Sequence, residues 1–176
     1  LVAAENNVFG CGYNSDMTEQ APNAHLTAAI WHWDVYYQAA IETAMTCGGA
    51  ENFVTEMGGN AYYAGLSEGF VDASTLNELV AAPGTAAAME AVRELIDSGE
   101  WDVFSGVKLN ITVDAEAGTA AVEQVDAPLM SDGYELKDGE VVEMANPEIV
   151  PAGGASVTDD VIKSGMNYNV AGVVEG

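Results

Sequence analysis

Hydrophobic and polar positions fall into short blocks in the early part of the chain, and these blocks predict two strands followed by a helix. An apolar run at residues 8–12 predicts a buried strand, and the polar residues 13–16 end it in a turn. Residues 26–30 predict a second strand. Apolar residues at helical spacing follow Asp34, a suitable N-cap, and stop before Gly48. This order is typical of an α/β layer. One face of the helix is expected to contain Tyr37, Ile41, Ala44 and Met45.

The middle of the chain predicts one more strand and two helices. Residues 52–57 form a candidate third strand. Thr75 and Glu78 have the spacing of a capping box, which would open a short helix. Residues 85–98 carry apolar side chains at helical spacing, and Gly99 follows as a helix terminator. The α/β pattern therefore continues past the first layer.

The last part of the chain predicts mainly β-structure. Residues 101–113 are typical of a strand or a pair of strands. The turn sequences Asp132-Gly133 and Asp138-Gly139 lie beside short alternating runs, which favours a surface hairpin. Residues 158–163 predict a short helix, and a terminal apolar strand is expected after it.

The charge balance excludes several classes of partner. The 176 residues include four Lys and Arg against 28 Asp and Glu, which gives a formal net charge of -24. Nucleic acid and anionic membranes need clustered cations, so they are poor partners. Because 49% of the residues are hydrophobic and occur in ordered patches, the acids are interpreted as a solvating surface rather than a sign of disorder. High ionic strength would screen their repulsion, so a saline habitat is the preferred interpretation.

Catalytic, metal and phosphate motifs are not evident in the sequence. His25 and His32 are its two histidines, and neither accompanies a nucleophile motif. Cys11 and Cys47 have no second Cys or His at ligand spacing, so buried free thiols are expected, with a disulfide as the alternative. The glycine-rich stretch at residues 58–69 lacks the lysine of a phosphate-binding loop. We therefore expect no catalysis and no cofactor.

Polar and aromatic groups follow the three predicted strands, at residues 13–16, 31–34 and 58–63. In an open α/β sheet, ligands bind at the carboxyl ends of the strands, so these groups are expected to converge on one concave site. Indole and phenol rings stack on planar ligands, and amides and carboxylates bind hydroxyl groups. The acidic balance disfavours phosphates. The pattern therefore predicts a neutral nucleoside, nucleobase or sugar as the ligand.

Two interpretations stay open for several of these residues. Trp31 and Trp33 occupy alternate positions, so their side chains are expected on the same face. His32 is expected on the other face, in a buried hydrogen-bonding role rather than in contact with ligand. An indole just before a helix also commonly covers that helix. Asp16 either closes a turn or binds ligand, and Glu68 is either a surface acid or a ligand contact.

The order of several short motifs resembles a known family. "GYNSDM", "LTAAIWHWDVYYQAAIETAM", "GLSEGFV" and "VTDDVIKSGMNYNVAGVVEG" occur in that order over most of the chain. They resemble the basic membrane protein family of substrate-binding proteins, which includes the purine nucleoside receptor lipoproteins. The resemblance implies a type I periplasmic-binding fold, with two α/β lobes joined by crossing segments and ligand between them. It also implies an extracytoplasmic, periplasmic or cell-surface receptor, lipid-anchored in some members, that delivers a purine nucleoside or base to the permease of an ABC importer.

Site residues follow from the resemblance position by position. Asn14 and Asp16 match the exit of the first strand, although the family often has Asp where Asn14 stands. Trp31 and Trp33 match the aromatic exit of the second strand. Gly65 and Glu68 match the turn that approaches the sugar. Asn60 and Tyr62 belong to the group at residues 58–63 that is expected to converge on the site. The expected ligand-binding set is Asn14, Asp16, Trp31, Trp33, Asn60, Tyr62, Gly65 and Glu68.

The resemblance also implies a division of the chain. Residues 1–71 would complete the second lobe with its cleft residues, and residues 72–110 would return to the first lobe. Residues 111–152 form an acidic insertion with a hairpin and no counterpart in the family, and residues 153–176 would cross back. The family is about twice as long, so the N-terminal half of the same protein is expected as a missing partner. The alternatives are a surface or assembly protein that reuses the fold and a receptor for sugars or another small solute.

Overall fold

The computed structural model describes residues 1–172, which form a mixed α/β fold of helices and small sheets. The chain divides into two compact units, one from Leu1 to Ala86 and the other beginning at Ala87. The first unit contains a three-stranded sheet, and the second contains a hairpin and a four-stranded sheet. The coarse α/β prediction is therefore confirmed. Residues 173–176, the end of the C-terminal segment that resembles the family, lie outside the described residues.

The sheet of unit 1 places two strand ends at one edge. Strands β1 (Gly10–Asn14) and β2 (His25–Trp31) run parallel, and β3 (Val71–Ala73) pairs antiparallel with the other side of β2. Gly12 and Ala28 are register partners, and a Cβ on Gly12 would lie 3.1 Å from that of Ala28. Small residues thus allow the close approach of β1 to β2. Because β1 and β2 are parallel, their carboxyl ends lie at the same edge of the sheet.

Unit 1 also contains helices α1 (Val2–Glu5), α2 (Trp33–Thr46) and α3 (Ala50–Glu56). Helix α2 was predicted, but its N-cap is His32, and Asp34 lies in the first turn. The face predicted from Tyr37, Ile41, Ala44 and Met45 is exposed. Its central apolar residues are among the most exposed in the unit, and no helix residue of unit 1 is buried. The exposed fractions are 58% for Tyr37, 61% for Ile41 and 81% for Met45.

The strand predicted at residues 52–57 is wrong, because these residues form most of α3. Phe53, Val54 and Met57 have spacings of one and four residues, which fit one side of a helix and do not alternate as a strand requires. The third strand is instead β3. The helix predicted from the Thr75 capping box is also wrong, since that segment forms a turn.

Asn77 explains why the capping box does not start a helix. Its side chain is buried and donates hydrogen bonds to the carbonyl oxygens of Pro22 (2.8 Å) and His25 (2.9 Å). Its own backbone N–H donates to the carbonyl of Leu26 at 2.8 Å. Bonds that link residues distant in sequence therefore replace local helix bonds, and they fix the segment after β3 against β2. Cys11, expected to be buried, is exposed in β1, and Cys47 is half-buried; both are free thiols.

Unit 2 begins within helix α4 (Thr85–Asp97), which is followed by Gly99 at φ +72° as expected. Strands β4 (Val107–Asp114) and β5 (Thr119–Asp126) form an antiparallel hairpin that is in register along all eight residues of each strand. Of the strand or pair of strands predicted at residues 101–113, the structure contains one, β4, and its partner β5 comes next along the chain.

The second sheet of unit 2 contains β6 (Leu129–Lys137), β7 (Glu140–Glu143), β8 (Glu148–Val150) and β9 (Tyr168–Val170). The turn predicted at Asp138-Gly139 joins β6 to β7 and is confirmed. The turn predicted at Asp132-Gly133 is wrong, because these residues lie inside β6. Gly133 has φ +94°, and the pairing of β6 with β9 is irregular across it. Helix α5 (Asp159–Ser164) confirms the last predicted helix.

Gly106 lies at a crowded backbone junction in unit 2. Its N–H donates to the carbonyl of Gly154 at 3.0 Å, and its carbonyl accepts the N–H groups of Ala127 (3.0 Å) and Gly153 (2.7 Å). A Cβ at this position would overlap the carbonyl oxygen of Pro151. The start of β4 and the loop after β8 can therefore meet only through a glycine.

Candidate ligand-binding site

Six aromatic side chains and one alanine form an open hollow of about 430 Å³ in unit 1. We call this hollow the aromatic basin. It lies at the carboxyl end of β2, where the sheet passes into α2, and the segment before β3 completes it. Its lining contains no Asp, Glu, Lys or Arg. The basin is defined by Trp31, Trp33, Tyr36, Tyr62, Tyr63, Ala64 and Phe70.

Trp31 and Trp33 lie on the same side of the chain, as their alternate positions predicted. Trp31 is the last residue of β2 and Trp33 the first of α2, and their ring centroids are 6.2 Å apart. His32 lies between them in sequence and does not line the basin. Its backbone N–H donates to the carbonyl of Phe70 at 2.8 Å, and its Nε2 lies 3.9 Å from Oδ2 of Asp72. The histidine side chain is only about half-buried, so its predicted buried role is wrong.

Phe70 forms the floor of the basin. It is buried, and its ring centroid lies 5.6 Å from that of Trp31, 5.6 Å from that of Trp33 and 5.2 Å from that of Tyr62. The ring centroid of Tyr36 lies 6.3 Å from that of Trp33 and 5.2 Å from that of Tyr62, so the rings form one continuous group. Several of these pairs are edge-to-face, a favourable arrangement of aromatic rings. The rings therefore position one another.

The outer rings of the basin remain accessible to a ligand. Trp33 has 52% of its surface exposed and Tyr63 has 65%. Exposed aromatic surface grouped around a hollow, rather than scattered singly, is a mark of a binding site. The basin therefore combines a fixed floor with an exposed rim.

Asn14 supports the basin from outside it. The residue ends β1, and its side-chain oxygen accepts a hydrogen bond from the indole N–H of Trp31. The ring of Tyr13 meets that of Trp31 edge-on, with centroids 6.0 Å apart. Asn14 does not line the basin. It holds the indole in place because β1 and β2 end at the same edge of the sheet.

Asp16 closes the turn that follows β1. Its Oδ1 accepts the backbone N–H of Thr18 at 2.8 Å and lies 3.4 Å from Nε2 of buried His25. Hydrogen bonding to Thr18, with a smaller contribution from the charge of His25, lowers the pKa of the Asp16 carboxyl below its usual value. The N–H of Met17 also points at Nε2 of His25, at 3.4 Å. These contacts are local, and Asp16 is not part of the basin lining.

Gly65 and Glu68 form a turn that fixes the floor of the basin. Oε2 of Glu68 accepts the N–H of Gly65 at 2.7 Å, and this hydrogen bond is the main cause of the lowered pKa of the Glu68 carboxyl. The carbonyl of Gly65 accepts the N–H of Phe70 at 3.1 Å. The turn therefore positions Phe70 and the adjacent Ala64, while neither Gly65 nor Glu68 lines the basin.

Asn60 belongs to a second, smaller hollow of about 150 Å³ beside α3. Tyr36 and Tyr62 line both hollows, and Phe53 and Met57 of α3 line the smaller one. Asn60 is therefore a neighbour of the basin, separated from it by two phenol rings.

The structure brings together three of the eight expected site residues, namely Trp31, Trp33 and Tyr62. It adds Tyr36, Tyr63, Ala64 and Phe70, which were not in the expected set. Tyr36 had a usable sequence feature, since it lies one helical turn after Trp33. Phe70 had none beyond being an apolar residue before a strand.

Two further properties apply to residues 1–172. Within them, no group of three or more His, Cys, Asp or Glu side chains is placed to hold a metal ion. Within the same residues, no helix has the length and apolar character needed to cross a membrane.

Comparisons with known proteins give no family assignment. No protein-family model matches the chain, and no curated protein sequence matches it significantly.

Proposed function

We propose that this chain is a substrate-binding protein that holds a purine nucleoside or nucleobase in the aromatic basin and performs no chemistry on it. The observation that carries the proposal is the group of six aromatic side chains around an open hollow of about 430 Å³. Small-molecule sites are concave, mainly apolar and of about 300–1,000 Å³, so the basin has a suitable size and lining.

The chemistry of the lining favours a flat, uncharged ligand. A planar base can stack on the exposed Trp33 ring in offset geometry. The lining offers no cation to neutralise a phosphate, and the net charge of -24 repels one. Outside the basin, Asn14 and the Gly65 turn are engaged in holding Trp31 and Phe70, so their role is to position the rings. A nucleoside or base therefore fits better than a nucleotide.

The resemblance to the basic membrane protein family extends this proposal. On this proposal the protein has the type I periplasmic-binding fold and lies outside the cytoplasm, with or without a lipid anchor. It passes its ligand to the permease of an ABC importer. Binding would act by closure of two lobes around the ligand. In such a protein the basin would form one wall of the cleft, and the N-terminal half of the protein would supply the opposite wall.

The large exposed surface of the chain supports the proposal that a further polypeptide covers part of it. The accessible surface is 11,775 Å² for 18.3 kDa. Two separate folded units of about 9 kDa each would expose only about 9,800 Å² in total, and one folded unit of the full mass would expose less. The excess of about 2,000 Å² is comparable to one side of a large permanent interface. Much of the exposed surface is apolar, as in Tyr37, Ile41 and Met45 of α2.

Titration calorimetry with adenosine, guanosine, inosine and the free bases tests the proposal. Because the chain is strongly acidic, the titrations are done at both physiological and molar KCl. Saturable heat with at least one of these ligands is expected. Trp33→Ala should weaken binding about tenfold or more, because stacking on one ring contributes about 1–3 kcal/mol. Trp33→Phe should retain most of the affinity.

Trp101→Phe, in unit 2, is the matched control and should leave the affinity unchanged. No heat with any purine would contradict the proposal. Saturable heat with a sugar alone would favour the sugar receptor, and ordered polymers without ligand binding would favour the assembly protein, for which the exposed face of α2 is a candidate contact surface.

A further inference from the structure

Strand β4 of unit 2 has a free edge. Among the described residues it pairs only with β5, and the two strands form a sheet of their own. Two hydrogen bonds show how the backbone of β4 is turned. The carbonyl of Gly106 accepts the N–H of Ala127, the residue after β5, at 3.0 Å. The next carbonyl, that of Val107, accepts the indole N–H of Trp101 at 2.8 Å and is therefore turned away from β5.

The backbone groups of every second residue after Val107 lie along this free edge. In an antiparallel pair, residues bonded to the partner strand alternate with residues turned away from it. The N–H and C=O groups of Leu109, Ile111 and Val113 therefore point away from β5. Within residues 1–172, nothing hydrogen-bonds to these groups. Such an edge is a template for pairing with another strand.

The apolar side of β4 is complementary to itself when two copies run antiparallel with Ile111 at the centre. Ile111 then lies opposite Ile111 of the second copy, and Leu109 lies opposite Val113. These side chains share one face of the strand, because alternate residues point the same way. Ile111 is 46% exposed and Val113 is 43% exposed. Pairing would therefore bring exposed apolar side chains together, and each of these pairs could also exchange two backbone hydrogen bonds.

The opposite face of β4 adds charge complementarity in the same register. Lys108 lies opposite Asp114 of the second copy, and two-fold symmetry repeats this pair at the other end of the strand. Lys108 is exposed and has no ion pair within the described residues. Asp114 is also exposed, and its Oδ1 accepts the N–H groups of Glu116 (3.0 Å) and Ala117 (2.9 Å). These bonds hold the carboxylate at the end of β4, where the second copy's lysine would meet it.

We propose that two copies of this chain pair through β4, antiparallel and centred on Ile111, to form a sheet in the order β5-β4-β4-β5. The free edge of β5 fits less well, because β5 contains Glu123 and Asp126 but no Lys or Arg to face them. Trp101 ends the pairing at Val107, whose carbonyl it occupies. The contact is two-fold symmetric and uses up the β4 edge, so it gives a dimer rather than a polymer.

Sedimentation equilibrium of the full chain at physiological and molar KCl tests the proposal. Each copy has a formal net charge of -24, so general repulsion opposes pairing, and the dimer should be stronger in molar KCl. We expect a monomer–dimer equilibrium at micromolar concentrations in molar KCl. A chain that is monomeric at both salt concentrations would overturn the proposal.

Two proline substitutions identify the edge that pairs. Ile111→Pro removes an N–H that faces the free edge of β4, so the hairpin itself loses no hydrogen bond. Val122→Pro is the matched control, because Val122 is the register partner of Ile111 and its N–H faces the free edge of β5. Ile111→Pro should abolish the dimer and Val122→Pro should preserve it, with circular dichroism confirming that both are folded. Any other result from the folded variants would overturn the proposal.

Charge substitutions test the register. Lys108→Glu should weaken the dimer about tenfold or more, because both ion pairs become repulsive. Lys137→Glu, in β6, changes the net charge equally and should have a much smaller effect. Asp114→Lys should also weaken self-pairing. An equal mixture of Lys108→Glu and Asp114→Lys should restore the dimer, because every facing pair then has opposite charges. Equal effects of Lys108→Glu and Lys137→Glu, or no mixed dimer from the folded variants, would overturn the proposed register.

Discussion

The aromatic basin and the unit 2 groove, an apolar hollow of about 400 Å³ between α4 and the strands β4 and β6, are similar in size but built in different ways. The basin depends on side chains, because its sheet has strands of only five, seven and three residues and its rings pack on Phe70. The groove depends on backbone pairing, because β4 and β5 are in register over eight residues each and β6 has nine. Aromatic packing can therefore shape a hollow where the strands are short, and a long hairpin can form one with few aromatic rings.

The two units also treat their charged groups differently. In unit 1 the two acids expected to bind ligand, Asp16 and Glu68, accept backbone N–H groups of their own turns. In unit 2, Lys108 of β4 is exposed, and its ammonium has no such partner among the described residues. The acids near the basin are therefore held by backbone groups, whereas Lys108 is open to solvent. The difference follows from where the turns and strands place a few charges, and the overall charge alone would not reveal it.

Replacing Gly106 by Ala should have the largest effect, and it should affect unit 2. The new methyl group would overlap the carbonyl oxygen of Pro151, and backbone cannot move aside as a flexible side chain can. We expect a loss of more than about 4 kcal/mol in the free energy of unfolding, enough to prevent unit 2 from folding. Chemical denaturation monitored by NMR distinguishes the units through the signals of β4 and β2.

Gly165→Ala is the control for this change. Its Cβ would lie 3.5 Å from the nearest atoms of Val161, an ordinary contact, so stability should change little. If Gly106→Ala were as stable as this control, the crowded junction would not hold unit 2 together.

Phe70→Ala should have the next largest effect and should affect unit 1. Removing this buried ring leaves a void beneath Trp31, Trp33 and Tyr62, and such substitutions cost about 3–5 kcal/mol. The near-ultraviolet circular dichroism of the tryptophans should fall, since their ring packing is lost. Phe9→Ala, at a residue that is 60% exposed, should cost less than about 1 kcal/mol. Equal losses for Phe70 and Phe9 would show that the rings do not support one another.

Glu68→Gln should have the smallest effect and should depend on pH. Because the folded pKa of Glu68 is lowered below 4.5, the stability that its carboxylate contributes is present above pH 4.5 and is lost as the pH falls through the folded pKa. The group is exposed, so solvent screening keeps this contribution below about 1 kcal/mol.

Denaturant titrations at pH 7 and at successively lower pH measure this contribution. The difference between the wild type and Glu68→Gln should be greatest at pH 7 and should disappear in acid. Glu56→Gln, at the end of α3, is the control for loss of an acid elsewhere. A carboxyl resonance of Glu68 that titrates above pH 4.5 would contradict the expected direction.

Elements whose periodicity is local can be predicted from neighbouring residues alone. Strand β2, helices α2 and α4 and the turn at residues 138–139 follow from spacing, glycines and alternation within a few residues. The common side of Trp31 and Trp33 follows in the same way, because alternate side chains of an extended segment point in one direction. Local hydrogen bonding and steric preferences decide these features, and both can be inferred from neighbouring residues.

The contacts of each side chain depend on packing between elements that are distant in sequence. Phe70 contacts Trp31 from 39 positions along the chain, and the Asn77 side chain donates its hydrogen bonds to Pro22 and to His25 at the start of β2 rather than within a helix. Tyr37, Ile41 and Met45 are likewise exposed, although their helical spacing was predicted correctly. Periodicity shows which face of an element is apolar. Whether that face is buried depends on which distant elements pack against it, and spacing within one element carries no information about that packing.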